Sequence, residues 1–403
     1  MNITEILEKK DCCGCSSCIQ KCPKNAIEMQ ANEEGFLYPK IDKKKCINCE
    51  ICIKACPQLK KMKLTNTVYP KSYAMYNKNY NEQLKSSSGG IFSAISNYVL
   101  ENNGVVFGAA FDSSLQVKHI KVDNKENLDL LRTSKYVQSN INGTYKDAEN
   151  ELKNNRFVFF TGTPCQIAGL NTYLAKKYEN LITADFVCHG VPSQKLFDKY
   201  IEYLSNKYHS KVTKYNFRNK EKKGWALVSK IETESGKIKY IEPGLDPYYS
   251  NFLRGTTYRE SCYSCRYTNC NRISDITLAD YFAITKIHAD FYNENGVSLI
   301  LINNEKGMKI INKISKNIEF IETDLEFAAN NNENLLRPSK RLKERDNIYD
   351  EINILDGREY TKQKLKVNYT AKKIIQALIP IKIKKYIKKI RIKKTDYRLE
   401  NKK

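Results

Sequence analysis

The chain has 403 residues, of which 14 are cysteine, and carries 68 Lys and Arg against 45 Asp and Glu for a formal charge of +23. That length accommodates a small module plus a larger domain with its own hydrophobic core. With no run of about 18 apolar residues to span a bilayer and no apolar signal segment at the start, the cysteines point to metal ligation in a reducing interior, not to a secreted disulfide framework.

The opening stretch holds Cys12, Cys15, Cys18 and Cys22 followed by Pro23, and the same spacing returns as Cys46, Cys49, Cys52 and Cys56 followed by Pro57. The run C-x2-C-x2-C-x3-C-P suits a pair of 4Fe–4S cubes. Three closely spaced thiolates take three corners of one cube; the fourth, carried off by a helical turn and redirected by proline, reaches the other. The expected sets are Cys12, Cys15, Cys18 and Cys56 for cluster one, and Cys46, Cys49, Cys52 and Cys22 for cluster two. Cys13 falls outside the spacing and reads as a spare thiol. Zinc wants four ligands in two pairs and fits this doubled pattern poorly. Residues 1–60 therefore read as an α+β ferredoxin-like dicluster module. Ile27 and Met29, then Phe36, Leu37, Tyr38 and Ile41, form the hairpin between its motifs.

Residues 61–72 read as a linker, and residues 73–337 as an α/β core. Lys85-Ser86-Ser87-Ser88-Gly89-Gly90 precedes an amphipathic helix with Ile91, Phe92, Ile95, Val99 and Leu100, which stops at Asn102-Asn103-Gly104. Val105 to Phe111 is a buried strand. Phe157 to Phe160 leads into Thr161-Gly162-Thr163-Pro164-Cys165-Gln166 and a helix. Leu181 to Val187 closes on Cys188-His189-Gly190-Val191-Pro192-Ser193 and another helix. Repeated strand–turn–helix units argue for functional loops at strand ends. Val228–Ile231 and Lys237–Ile241 read as an added antiparallel hairpin, and Val297–Ile302 as a late core strand.

Residues 338–403 read as a basic, partly helical extension. Residues 361–403 hold 16 Lys and Arg against two acids, so about +14 of the charge lies there. No nucleic-acid motif accompanies the remainder, which excludes a general nucleic-acid binder. Ile374, Leu378, Ile379, Ile383, Tyr386, Ile387 and Ile390 recur at helical spacing among lysines and are interrupted by Pro380. Such a face suits an anionic membrane surface or packing on protein. The expected location is cytoplasmic, with peripheral contact at the inner face of the membrane through this tail.

Five cysteines remain. Cys165 and Cys188 each terminate a strand, and Thr163-Pro164 sets Cys165 in a helix's opening turn, where backbone N–H groups favour a thiolate. Cys262 and Cys265 add a pair. These four suffice for a third 4Fe–4S cluster, with Cys270 in reserve; zinc, or plain burial of small apolar residues, is the bland alternative. Ser86 to Gly90 ahead of a helix has the physics of a phosphate cradle.

In segment order the chain resembles the beta subunit of coenzyme F420-reducing hydrogenase and its dehydrogenase relatives. The resemblance rests on Ser88-Gly89-Gly90, Ser134 to Ser139, Thr161 to Leu170, Cys188 to Ser193, Phe217 to Lys220 with Gly224-Trp225, Cys262 to Cys265, and Arg272 to Asp280. It implies FAD in the α/β core, a 4Fe–4S cluster nearby, and electron exchange with the deazaflavin F420. By that resemblance Cys165, Cys188, Cys262 and Cys265 are cluster ligands, while Ser88, Gly89, Gly90, Lys135, Tyr136, Gln138, Ser139 and Thr163 line the flavin pocket. The family's Gly-Asp-Phe-Trp is here Ala279-Asp280-Tyr281-Phe282, which narrows backbone approach and changes a large apolar face. Ferredoxin-fused branches also look like proteins accompanying polysaccharide biosynthesis.

The resulting expectation is an iron–sulfur flavoprotein oxidoreductase, with hydride exchange at FAD and single-electron passage through the clusters to a redox partner or ferredoxin-type carrier. Lys135 and the Gly89 and Gly90 N–H groups are expected on the FAD phosphates, and His189 at a flavin edge, on a cluster sulfur, or in a structural role. The competing class is a non-enzymatic ferredoxin-type carrier or scaffold with a cofactor-free core.

Overall fold

The structure is a computed structural model and describes residues 1–60, 70–367, 370, 379 and 383. Most of the expected linker and the apolar tail face from Ile374 to Ile390 lie outside the described residues, apart from isolated positions.

In the N-terminal module β1 (Ile27–Ala31) and β2 (Leu37–Ile41) pair antiparallel, Ile27 opposite Ile41. The two cysteine loops flanking this hairpin are backbone copies of each other. Gly14 and Ser16 follow Cys12 by two and four residues with φ of 68° and 61°, and Asn48 and Glu50 follow Cys46 likewise with φ of 54° and 61°. Left-handed residues at alternate positions curl a loop so that its N–H groups point inward, the geometry of an anion-holding nest.

The core is built on an eight-stranded sheet in the order β13 (Ile318–Glu322), β3 (Lys71–Asn77), β12 (Ser298–Ile302), β11 (Ile276–Asp280), β7 (Leu181–Phe186), β6 (Val158–Gly162), β4 (Val105–Phe111) and β5 (Val117–Val122). β11, β7, β6 and β4 run parallel, and β12, β13 and β5 pair antiparallel with their neighbours. Strand alternation sorts the apolar residues onto two faces. Val106, Ala110 and Phe159 pack with the helix Ile91–Glu101. Val105, Phe107, Val158 and Phe160 pack under the helices Thr144–Lys153 and Pro164–Leu174. A separate three-stranded sheet, β10 (Ile238–Ile241), β9 (Ser229–Thr233) and β8 (Val212–Asn216), covers an aromatic cluster with the helix Gln194–Tyr208. The expected hairpin is present as β9–β10, with β8 as a third strand missed from sequence.

Chain direction fixes where the loops collect. The carboxyl ends of β3, β11, β7 and β6 share one sheet edge, and β12 begins there, with Ser298 opposite Met75 and Asp280. Loops at that edge carry residues 86–90, Asp280, Cys188 and Cys165. Ligands of open α/β sheets bind outside the carboxyl ends of the strands.

The start of the expected extension is core instead. Ile348, Tyr349, Ile352, Tyr360 and Leu365 are buried in the aromatic cluster, and the helix Gly357–Gln363 packs on Gln194–Tyr208. Arg345, 1% exposed, makes a bidentate pair with Glu34 of the N-terminal module at 2.8 Å from each nitrogen. Its charge reads as solvated in a Lys-rich stretch because the partner lies 311 residues away.

Truncating one partner of a buried pair strands the other's charge. Glu34→Ala, which leaves Arg345 only Glu260 at 3.5 Å, is expected to cost about 3 kcal/mol in denaturant unfolding. Arg254→Ala, removing a half-exposed pair with Glu344, should stay within about 0.5 kcal/mol.

Candidate cluster sites and an adjoining recess

All fourteen cysteines are unpaired. Cys22, Cys46, Cys49 and Cys52 line one cavity. Cys12, Cys15, Cys18 and Cys56, joined by Cys13, line a second. These are the two sets expected from the spacing, including the exchange of the fourth cysteine of each motif. Backbone N–H groups point at the sulfurs: Ala26 at Cys22 at 3.3 Å, Ile3 and Ile53 at Cys52, and Gln58 and Leu59 at Cys56. Such bonds favour thiolate over thiol and tune a bound cluster. The second cavity faces the core, and its thiols are buried; Cys49 in the first is exposed.

A third thiol set forms at the sheet edge. Cys165 sits in the opening turn of Pro164–Leu174, with Thr163 Oγ1 3.2 Å from its sulfur. Cys188 follows β7, and Cys262 closes the turn Glu260–Cys262, tied by its N–H to Arg259 O at 2.9 Å. Burial and the neighbouring thiols Cys262, Cys165 and Cys265 raise Cys188 well above the usual thiol range. Burial with Cys265 and Cys165 pushes Cys262 up to about 12, and burial with Cys165 pushes Cys265 up to about 11. Thiols that suppress one another's ionisation in this way ionise once a cationic core binds them, releasing protons. Among the described residues no three His, Cys, Asp or Glu converge closely enough to hold a single metal ion. Cys270 stands apart: its sulfur approaches Leu335 O at 3.6 Å, and it packs in a different apolar cluster.

Cys13, expected as a spare thiol, sits at the junction between module and core. It is buried, lines the cluster-one cavity, and its thiol lies beside those of Cys15 and Cys165. Close approach here needs glycine: a Cβ on Gly169, one turn after Cys165, would come within 3.1 Å of Cys15 Sγ and 2.9 Å of its Cβ. The fully buried Arg259 locks the junction. Its Nε donates to Cys12 O at 2.6 Å, one terminal nitrogen to Leu37 O at 3.0 Å, and the other to Gln138 Oε1 at 3.2 Å. Its guanidinium lies 4.1 Å from the centre of the Tyr38 ring and meets no carboxylate among the described residues. Gln138 Nε2 donates to Cys13 O at 3.0 Å. A buried cation between two thiol sets fits a site that takes up thiolate-ligated, net-negative clusters.

The residues expected at the flavin divide into two groups. Ser88 and Tyr136 meet at a buried ion pair, Arg218–Asp280, closed by bonds of 2.6 and 3.0 Å, with Gly89, Gly90 and Lys135 adjacent to them in the chain. Arg218 also donates to Tyr136 Oη at 3.1 Å and Ser87 O at 3.0 Å, and Trp225 Nε1 donates to Asp280 at 2.9 Å. Arg218 Nε is buried without a partner. Lys220 donates to Ser88 O and Gln83 O at 2.6 Å each, and Lys135 to Leu130 O and Arg132 O at 2.9 and 2.7 Å. Burial brings both lysines down to about 7. Gly90 has φ of 85°, but the Gly89 N–H is already taken by Ser298 Oγ at 2.9 Å, so it is not free for a phosphate as expected. Phe282, where the family carries Trp, is half exposed and stacks on Trp225 at 4.8 Å.

The other group faces elsewhere. Gln138 belongs to the module junction, and Thr163 to Cys165. Ser139 donates to His119 Nδ1 at 2.7 Å, while His119 Nε2–H bonds Thr161 O at 2.9 Å; burial holds that imidazole neutral, at about 4. His189 is reachable by solvent yet crowded by protein, which lowers its pKa, and its carbonyl accepts from Ser339. Sequence reasoning missed Arg218, Lys220 and Asp280 as site residues and gave Arg259 no role. The available signal was a run of charged residues, Arg218-Asn219-Lys220, beside a buried strand.

A dicluster module docked on an α/β core that gathers a third thiol set at its ligand-binding edge defines an iron–sulfur oxidoreductase. Comparison with known families makes this specific. Residues 155–326 match the family described as the C terminus of the coenzyme F420 hydrogenase/dehydrogenase beta subunit. Residues 11–59 and 38–92 match two 4Fe-4S dicluster domain families; the matches overlap and share the second cysteine motif, so they describe one module. Residues 155–326 are thus similar to the beta subunit of coenzyme F420 hydrogenase/dehydrogenase, and the dicluster module lies ahead of that region. No curated protein matches it. Among solved structures it is similar to a chain of the F420-reducing [NiFe] hydrogenase complex from Methanosarcina barkeri, at 17% identity and a TM-score of 0.47, over 66% of this chain and 89% of that one. No helix among the described residues is long and apolar enough to cross a membrane.

Cys13→Ala is expected to leave iron per chain unchanged under anaerobic reconstitution, whereas Cys18→Ala should lose about four iron atoms. Equal losses would mean that Cys13 is a ligand.

Proposed function

We propose that this chain exchanges electrons between a hydride donor or acceptor of the F420 deazaflavin type, at a bound FAD, and three 4Fe–4S clusters in series. Cys165, Cys188, Cys262 and Cys265 hold the core cluster; Cys12, Cys15, Cys18 and Cys56 the next; Cys22, Cys46, Cys49 and Cys52 the outermost. The observation that carries this reading is the position of Cys13, in contact with a sulfur of the core set and one of the first module set.

Bound flavin supplies the step between two-electron and one-electron chemistry: a hydride brings two electrons and a proton, and the electrons leave singly while the proton is released. The protein's part is to hold and exclude. Ser88 and Gly90 belong to the loop that would receive the flavin, Lys135 and Lys220 would offer positive charge to a pyrophosphate, and Arg218 keeps one N–H without an acceptor among the described residues. The Arg218–Asp280 pair fixes the loop carrying Ser87 and Ser88, and Trp225 with Phe282 forms an apolar wall. Buried Arg259 stabilises reduced clusters on both sides of the junction by its charge.

Anaerobic reconstitution tests this: about twelve iron atoms and one FAD per chain are expected. Iron near eight with no flavin would remove the core reaction and leave a ferredoxin-type carrier on a cofactor-free scaffold.

A phosphate-bearing flavin favours the charged forms of Lys135 and Lys220, which free protein holds at about 7. Binding therefore takes up protons above that pH, and FAD affinity should fall as pH rises from about 7 towards 10. Calorimetry in two buffers of different ionisation enthalpy reads the uptake; a flat profile would take the lysines off the phosphates.

A further inference from the structure

The module's two ends differ. The cavity against the core is walled by buried thiols, while the other opens at the surface, with Cys49 exposed and Cys46 and Cys22 partly so. Around that mouth Ile47 is 58% exposed and Met1 59% exposed, and both line the cavity. Lys24 lines it too, and Lys43 and Lys44 lead into Cys46; with Lys54 all are exposed and form no ion pair among the described residues. The acids of this face are already matched: Glu50 lies 3.7 Å from the N-terminal ammonium, and Asp42 3.3 Å from Lys45.

Solvated lysines alone mean little on a basic chain. Here they flank two exposed apolar side chains, Met1 and Ile47, at the cavity that holds the one exposed cysteine, Cys49, at the end of the series remote from the core. A small apolar centre with a charged rim is the form of a transient electron-transfer interface, which steers its partner by field and lets it leave quickly. Resting on the proposed function, we infer that this face docks a small acidic one-electron carrier protein, and that electrons enter or leave the chain there through Cys46, Cys49 and Ile47.

The test uses the full-length reconstituted protein and a small acidic 2[4Fe–4S] ferredoxin as the probe, with Kd measured by biolayer interferometry at low and high salt. Binding should weaken as salt rises. Lys43→Glu with Lys44→Glu should weaken it about tenfold at low salt, with the iron, sulfide and flavin content of wild type. Lys313→Glu with Lys316→Glu, on the far side of the sheet, should not. Unchanged binding by the first pair overturns the inference. So does a first pair that instead loses affinity for phosphatidylglycerol vesicles, or abolishes self-association, without affecting the ferredoxin. A preparation that lacks flavin yet binds ferredoxin through these lysines would remove the proposed reaction and leave this surface standing.

Discussion

Arg259 holds the two halves of the molecule together. Its guanidinium is fully buried, satisfied by the carbonyls of Cys12 and Leu37 and the amide oxygen of Gln138, and covered by the rings of Tyr38 and Phe36. A buried charge with no counter-ion is costly, so the arrangement makes sense only if negative charge arrives beside it. Thiolate-ligated clusters in the neighbouring sets would supply that charge. Docking of the module, packing of Gly169 on Cys15, and the placing of Cys13 between two sets all follow from this one residue's position, and Arg345 with Glu34 provides a second clamp on the other side.

The sheet edge sets the order of the rest. Parallel strands deliver Cys165, Cys188 and Asp280 to one rim, and β3 sends the Ser88–Gly90 loop to the same rim. Arg272 then ties the loop beyond Cys265 to β7, bonding Tyr267 O at 2.7 Å and Asp185 at 3.0 Å. One edge thus carries both the core thiols and the Arg218–Asp280 pair, while the middle set, Cys12, Cys15, Cys18 and Cys56, is the most buried and Cys49 at the far end is exposed.

Much of this was legible in the sequence, for physical reasons. The doubled C-x2-C-x2-C-x3-C-P spacing is local and nearly fixes the loop geometry, so the two cavity linings came out residue by residue. Buried strands such as Val105–Phe111 read correctly because they are continuous apolar runs bounded by turns. What did not read depends on long-range pairing. Arg259 and Arg345 look like surface charges until residues 247 and 311 positions away meet them. Cys13 looked redundant because its second neighbour, Cys165, belongs to another domain. Gln138, Ser139 and Thr163 lie close in sequence or type to the residues around Arg218, yet the fold turns Gln138 and Thr163 toward the cysteines and Ser139 toward His119.

The central claim is a continuous series of three sulfur-bound centres across the junction pinned by Arg259. An anaerobic crystal of the reconstituted protein, measured at the iron absorption edge, tests it most directly. The account predicts three compact anomalous peaks in a row, with Cys13 between the middle and core peaks. Two peaks confined to the N-terminal module, with Cys165, Cys188, Cys262 and Cys265 bare, would contradict it.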